Sequence, residues 1–139
     1  MMIAHSHQGI EIVKLAATRA TNPELKTMAA AIQNTQQAEV EQMLRWLHEW
    51  DQPLSAPSGS HDHHGGLPET DRRQIRALST SKHFDQDFIN LLIAHQDDAV
   101  QMAAAEVSGG ASPKVKEYAG RVQSSRKAEV GQLMAMLKQ

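Results

Sequence analysis

The chain has 139 residues, with 14 Lys and Arg against 16 Asp and Glu, seven methionines and no cysteine. That length suits one domain over residues 1–139, large enough to bury a core and too short for two ordinary ones. Balanced charge without a basic stripe argues against nucleic acid as a partner. The lack of cysteine excludes disulfides, thiol catalysis and Cys-ligated zinc, leaving His, Met, Asp and Glu as the strong ligand types.

The first predicted helix begins near Met2. At about 100° per residue, Met2, His5, Gly9, Ile12, Val13, Ala16 and Ala17 fall on one arc, with His7, Glu11, Lys14 and Thr18 opposite. His5 is therefore expected inside and His7 outside. No run approaches the roughly 18 apolar residues of a membrane helix, so membrane insertion is not expected. At Asn22-Pro23 a capping side chain precedes a proline suited to a first helical turn, which starts a second helix. That helix turns Leu25, Met28, Ile32, Gln36, Glu39, Val40, Met43, Trp46, Leu47 and Trp50 inward.

Asp51 to Pro68 is rich in Pro, Gly, Ser and His and reads as an irregular crossover; Thr70 is placed to cap a short extra helix carrying Ile75 and Leu78. A third long helix starts near residue 83 and turns Phe84, Phe88, Leu92, His95, Ala99, Met102, Ala103 and Val107 inward. Gly109-Gly110 ends it. Ser112-Pro113 opens the fourth, with Val115, Tyr118, Val122, Arg126, Glu129, Val130, Leu133 and Met136 inward.

Sliding the sequence by 90 residues aligns Ile3–Leu47 with Ile93–Leu137 without a gap, matching Ile3-Ala4-His5 to Ile93-Ala94-His95, Pro23 to Pro113 and Ala38-Glu39-Val40 to Ala128-Glu129-Val130. This pattern is that of an internal duplication. The expected fold is an all-α four-helix bundle of two repeated antiparallel hairpins: repeat one spans 3–47, the crossover 51–82 and repeat two 93–137. With a turn near residues 21 and 22, His5 is expected across from Glu39, and His95 across from Glu129.

A buried carboxylate needs a partner, and imidazole can supply one nitrogen to it while leaving the other free. The His–Glu pairs then act as structural clips or, through the free nitrogen, as metal ligands. Met2, Met43 and Met102, on or beside the same stripes, read either as core filler or as thioether donors suited to Cu(I). His61, His63 and His64 form another candidate, a crossover segment that can wrap Cu(II), Ni(II) or Zn(II) or remain a solvated loop. Arg126 stands where the first repeat has Gln36 and is a candidate partner for Glu129 or Glu106.

These residues resemble the ferritin-like family known as domain of unknown function 305. Its repeats carry Met-Ile-x-His-His-x-x-Ala-x-x-Met in one helix and Gln-x-x-Glu-Ile-x-x-Met-x-x-Trp-Leu in the next. Here the first run reads Met2-Ile3-Ala4-His5-Ser6-His7, and the second is Gln36-Gln37-Ala38-Glu39-Val40-Glu41-Gln42-Met43-Leu44-Arg45-Trp46-Leu47. The second repeat supplies Phe84 to Phe88 and Leu92-Ile93-Ala94-His95-Gln96 through Met102-Ala103. The likeness implies a copper-binding or copper-resistance protein of an extracytoplasmic compartment, periplasmic or secreted, whose natural chain extends upstream with a signal segment.

Three departures each remove a potential ligand of the family pattern: the adjacent His pair has become His5-Ser6 and His95-Gln96, Ile12 stands for a Met, and Met43 is matched by Leu133. No organic cofactor is expected. Nor is catalysis, because a di-iron site in such bundles uses Glu-x-x-His pairs, which this sequence lacks, and no nucleophile motif occurs. The competing expectation is a structural or interaction bundle without a metal site. The face around Trp50 is a candidate homodimer surface.

Overall fold

The computed structural model describes residues 1–53 and 70–139. The crossover histidines His61, His63 and His64 lie outside that range. Five helices follow in order: α1 (Met2–Arg19), α2 (Pro23–Glu49), α3 (Arg72–Ser79), α4 (Phe84–Gly109) and α5 (Pro113–Leu137), with no strand among the described residues. The two hairpins α1/α2 and α4/α5 meet through α1 and α4, and α3 packs against both of those helices. This is the all-α bundle the apolar periodicity predicts.

Capping residues set the hairpin turns. Asn22 accepts from the backbone N–H groups of Glu24 (2.9 Å) and Leu25 (3.4 Å), with Pro23 in the first turn. At the equivalent point Ser112 accepts from Val115 N (3.4 Å) ahead of Pro113. Each cap satisfies donors that the helix leaves free. Asp85, in the first turn of α4, joins the hairpins by accepting from Thr21 N (2.9 Å), Thr21 Oγ1 (2.7 Å) and Asn22 N (2.9 Å). Arg19 lies over the Phe84 ring and donates to the carbonyls of Leu78, Ser79 and Ser81, so α1 carries the cation that caps α3.

Apolar and polar residues are layered along every long helix. One end holds the main core, including Ile12, Val13, Leu25, Ile32, Leu78, Phe88, Leu92 and Leu133. Toward the other end, Ala103, Ala119 and Val122 pack with Met2 and Tyr118. Between them lie the buried His5, Ser6, Gln36, His95, Gln96 and Arg126. The helices α2 and α5 are bridged by long side chains at this level and beyond: Arg126 reaches Glu39, Trp46 meets Tyr118 edge-on at 5.0 Å, and Lys114 lies over Trp46 at 5.8 Å.

Four sequence expectations are corrected. Val107 and Trp50 are exposed because they stand at helix ends, where the neighbouring helices no longer cover them. Ala17 is exposed because Ala16 and Ala20 already take the contact face of the last α1 turns. Thr70 does not cap α3: Asp71 does, accepting from Arg73 N at 2.8 Å, while Thr70 turns inward to the polar layer.

Candidate functional site

The two histidines related by the 90-residue offset meet at the centre of the bundle. Their rings stack face to face, with centroids 3.8 Å apart and planes 2° from parallel. His5 Nε2 donates to the backbone carbonyl of His95 at 2.9 Å. Since a carbonyl only accepts, the His5 proton is on Nε2 and Nδ1 carries a lone pair; that atom is buried and unpartnered. Burial, reinforced by Arg126 and the chain's ammonium terminus, lowers the His5 pKa to about 4. Burial, followed by His5 and Arg126, lowers that of His95 to about 3. Both rings are neutral at pH 7, so no proton competes for the His5 lone pair.

Parallel stacking limits what the pair can do together. A metal bound to imidazole lies close to the ring plane, and two parallel planes a ring thickness apart share no such point. In this arrangement His5 and His95 cannot both hold one ion. The expected clips are also corrected: among the described residues, no hydrogen bond joins His5 to Glu39 or His95 to Glu129. Glu39 is paired with Arg126, which also lies 3.7 Å from Glu129. A full cation satisfies a half-buried carboxylate better than neutral imidazole does, and Arg126 is 1% exposed between the two glutamates. Burial raises the Glu129 pKa, against the opposing pull of Arg126 and of the Gln96 hydrogen bond.

The polar layer continues through amides. Gln96 donates to Glu129, and Gln36 Nε2 donates to Gln96 Oε1 at 3.2 Å. On the other side Thr70 Oγ1 meets His95 Nδ1 at 3.2 Å. Thr70 is itself held by the Gln8 side chain, which accepts from its N–H and donates to its carbonyl, both at 2.8 Å. Gly9 makes room for this packing: a Cβ there would overlap Gln36 Oε1 and stand 2.7 Å from His95 Nε2. Ala99 occupies the matching position in the second repeat.

Of the residues singled out from sequence, His5 and His95 are brought into contact. Met2 lies one turn before His5 on the same helix and is half-buried, as are Met43 and Met102. The hairpin topology carries Met43 along the stretch of α2 beside the start of α1, and Met102 precedes Ala103, which packs against Met2. These three residues therefore lie toward the end of the bundle at which α1 begins, beyond the central polar layer. Among the described residues no group of three His, Asp or Glu side chains is arranged to hold a metal. The donor chemistry fits copper through one neutral imidazole and soft sulfur.

Sequence reasoning missed Gln8, Thr70, Ser6 and Gln96 as parts of this layer, and placed Gly9 on the inward arc without the close contacts it makes room for. The signal for Gln96 and Ser6 was present, since each directly follows an inward histidine at the same place in its repeat. The contact of Gln8 with Thr70 spans 62 residues and has no local signature.

The fold and its buried polar layer define a helical bundle of two equivalent hairpins with a pair of central histidines. The chain belongs to the family described as domain of unknown function (DUF305), whose model matches residues 1–137. Among solved structures it is similar to CopM in its Cu(II)-bound form, with 30% identity and a TM-score of 0.85 over 99% of this chain and 91% of that one. CopM in its Cu(I)-bound form gives 28% identity and a TM-score of 0.84 at the same coverage. A DUF305 protein from Streptomyces coelicolor described as secreted shares the fold at 23% identity, with a TM-score of 0.91 over 99% of this chain and 87% of that one. No curated protein matches the sequence significantly.

Proposed function

We propose that this protein binds copper ions without catalysing a reaction, in an extracytoplasmic compartment as part of copper handling or resistance. The observation that carries the reading is the buried, unprotonated Nδ1 of His5, a lone pair held free by the hydrogen bond that fixes the ring's proton on Nε2. Met2, Met43 and Met102 supply soft donors on the Met2 side of His5, while His95 stays stacked on the His5 ring and holds it in place. The likeness to a protein solved with Cu(I) and Cu(II), over nearly the whole chain, supports the same metal. Copper bound there would be sequestered within the bundle. The compartment is the one that the family resemblance implies.

A second reading is a structural or interaction bundle that has lost its metal. The observations in its favour are the stacked rings, which cannot share an ion, and Arg126, which already neutralises the central carboxylates. An anaerobic Cu(I) titration against a competing chromogenic chelator separates the two. The chain is compared with a variant in which His61, His63 and His64 are changed to Ala. Stoichiometric capture that survives in the variant supports the bundle site; no competition by either protein supports the second reading.

A further inference from the structure

The two central histidines are equivalent in sequence but differ in what they offer. We propose that a one-way chain of polar groups, a relay from Thr70 through His95, Gln36 and Gln96 to Glu129, fixes the His95 proton on Nε2. Of the pair, only His5 then presents a lone pair to an incoming ion. The direction is set at the Glu129 end. A carboxylate beside the Arg126 guanidinium accepts only, so the Gln96 group facing it is the NH₂. The oxygen of Gln96 must then face Gln36, which places the Gln36 NH₂ there and leaves Gln36 Oε1 pointing the other way.

Gln36 Oε1 and His95 Nε2 are both buried without a partner, and both crowd the Cα–H of Gly9. No hydrogen bond joins the two as placed; because the oxygen only accepts, one can form between them only with the hydrogen on the ring nitrogen. His95 Nδ1 is then the acceptor for the Thr70 hydroxyl, which can donate or accept and takes the donor role here. Gln8, by gripping the Thr70 backbone on both sides, holds that hydroxyl at the ring. Thr70, Gln36, Gln96 and Glu129 are thus positioning residues for His95. The pseudo-symmetry is broken where Gln36 is matched by Arg126, and Ser6 by Gln96, so His5 has no equivalent chain.

The consequence for metal capture rests on the copper reading above, but the relay is tested without metal. The full chain labelled with ¹⁵N-histidine is examined at neutral pH by long-range ¹H–¹⁵N correlation. His95 is expected as a single Nε2-protonated ring whose N–H exchanges slowly. Gln96→Leu, which removes a side chain hydrogen-bonded to Gln36 and not to the His95 ring, is expected to shift both His95 ring nitrogens and speed that exchange. Should this variant fail to fold, Glu129→Gln, which keeps the size but adds a donor at the anchoring end, is expected to do the same. A His95 ring protonated on Nδ1, or ring signals unchanged in the folded variant, would overturn the relay. Adding Cu(I) afterwards tests the other reading separately: absence of binding removes the copper assignment and leaves the tautomer result standing.

Discussion

Among the described residues Arg126 is the only buried cation of the polar layer, and its removal should be the most damaging single change there. Arg126→Met keeps most of the volume but leaves Glu39 and Glu129, with side chains 12% and 14% exposed, without their guanidinium. Breaking a buried ion pair from one side costs roughly 3–5 kcal/mol, because the remaining charge stays desolvated. At roughly 2–5 °C per kcal/mol for a chain of this size, the midpoint falls by roughly 6–25 °C. Urea and thermal unfolding followed by far-UV circular dichroism measure both quantities. Adding Glu39→Gln and Glu129→Gln to Arg126→Met should restore most of the loss, since no charge is then stranded. A loss below about 1 kcal/mol, or a triple variant no more stable than the single one, would show that solvent already compensates these charges.

The pH dependence follows from the neutral histidines. Both have folded pKa values below the ordinary 6.5, about 4 for His5 and about 3 for His95, so their contribution is full above pH 6.5 and is lost as the pH falls through those values. Two protons taken up on unfolding give a slope of up to about 2.7 kcal/mol per pH unit. Glu129, whose pKa is raised, acts in the opposite sense and gains stability as the pH falls. Unfolding free energies at pH 7, 5.5 and 4.5 should therefore drop more steeply for the natural chain than for His5→Gln/His95→Gln; equal slopes contradict the assignment. Gly9→Ala gains about 1 kcal/mol of helix propensity but incurs roughly 1–3 kcal/mol of overpacking against Gln36 and His95. Its unfolding midpoint should stay level or fall, and a clear rise would mean that these two side chains are free to move. Asp85→Ala, which strips three hydrogen bonds from the turn joining the hairpins, should cost roughly 1–3 kcal/mol in the same assay.

The helices were legible because their signals are local. Asn22-Pro23, Ser112-Pro113 and Gly109-Gly110 mark ends, and the 3.6-residue apolar period marks the faces. Gln36, His95 and Arg126 were correctly placed inward by the same period. What the period does not carry is which inward groups meet. His5 was assigned to Glu39 from the hairpin register alone, whereas its ring turns across to α4, and Glu39 is taken by a cation from α5. That choice depends on ranking all polar groups of four helices at one level, where guanidinium outranks imidazole for a carboxylate. The stacking of His5 on His95 follows from the approach of α1 to α4, a contact between repeats that neither hairpin contains by itself.

The measurement closest to the central claim is a crystal structure of the protein loaded with Cu(I), with the metal located by anomalous scattering. Copper is expected on His5 Nδ1, on the side of the polar layer that faces Met2, Met43 and Met102, with Arg126 still between its two glutamates. Copper confined to His61, His63 and His64, or absent at full loading, would contradict it.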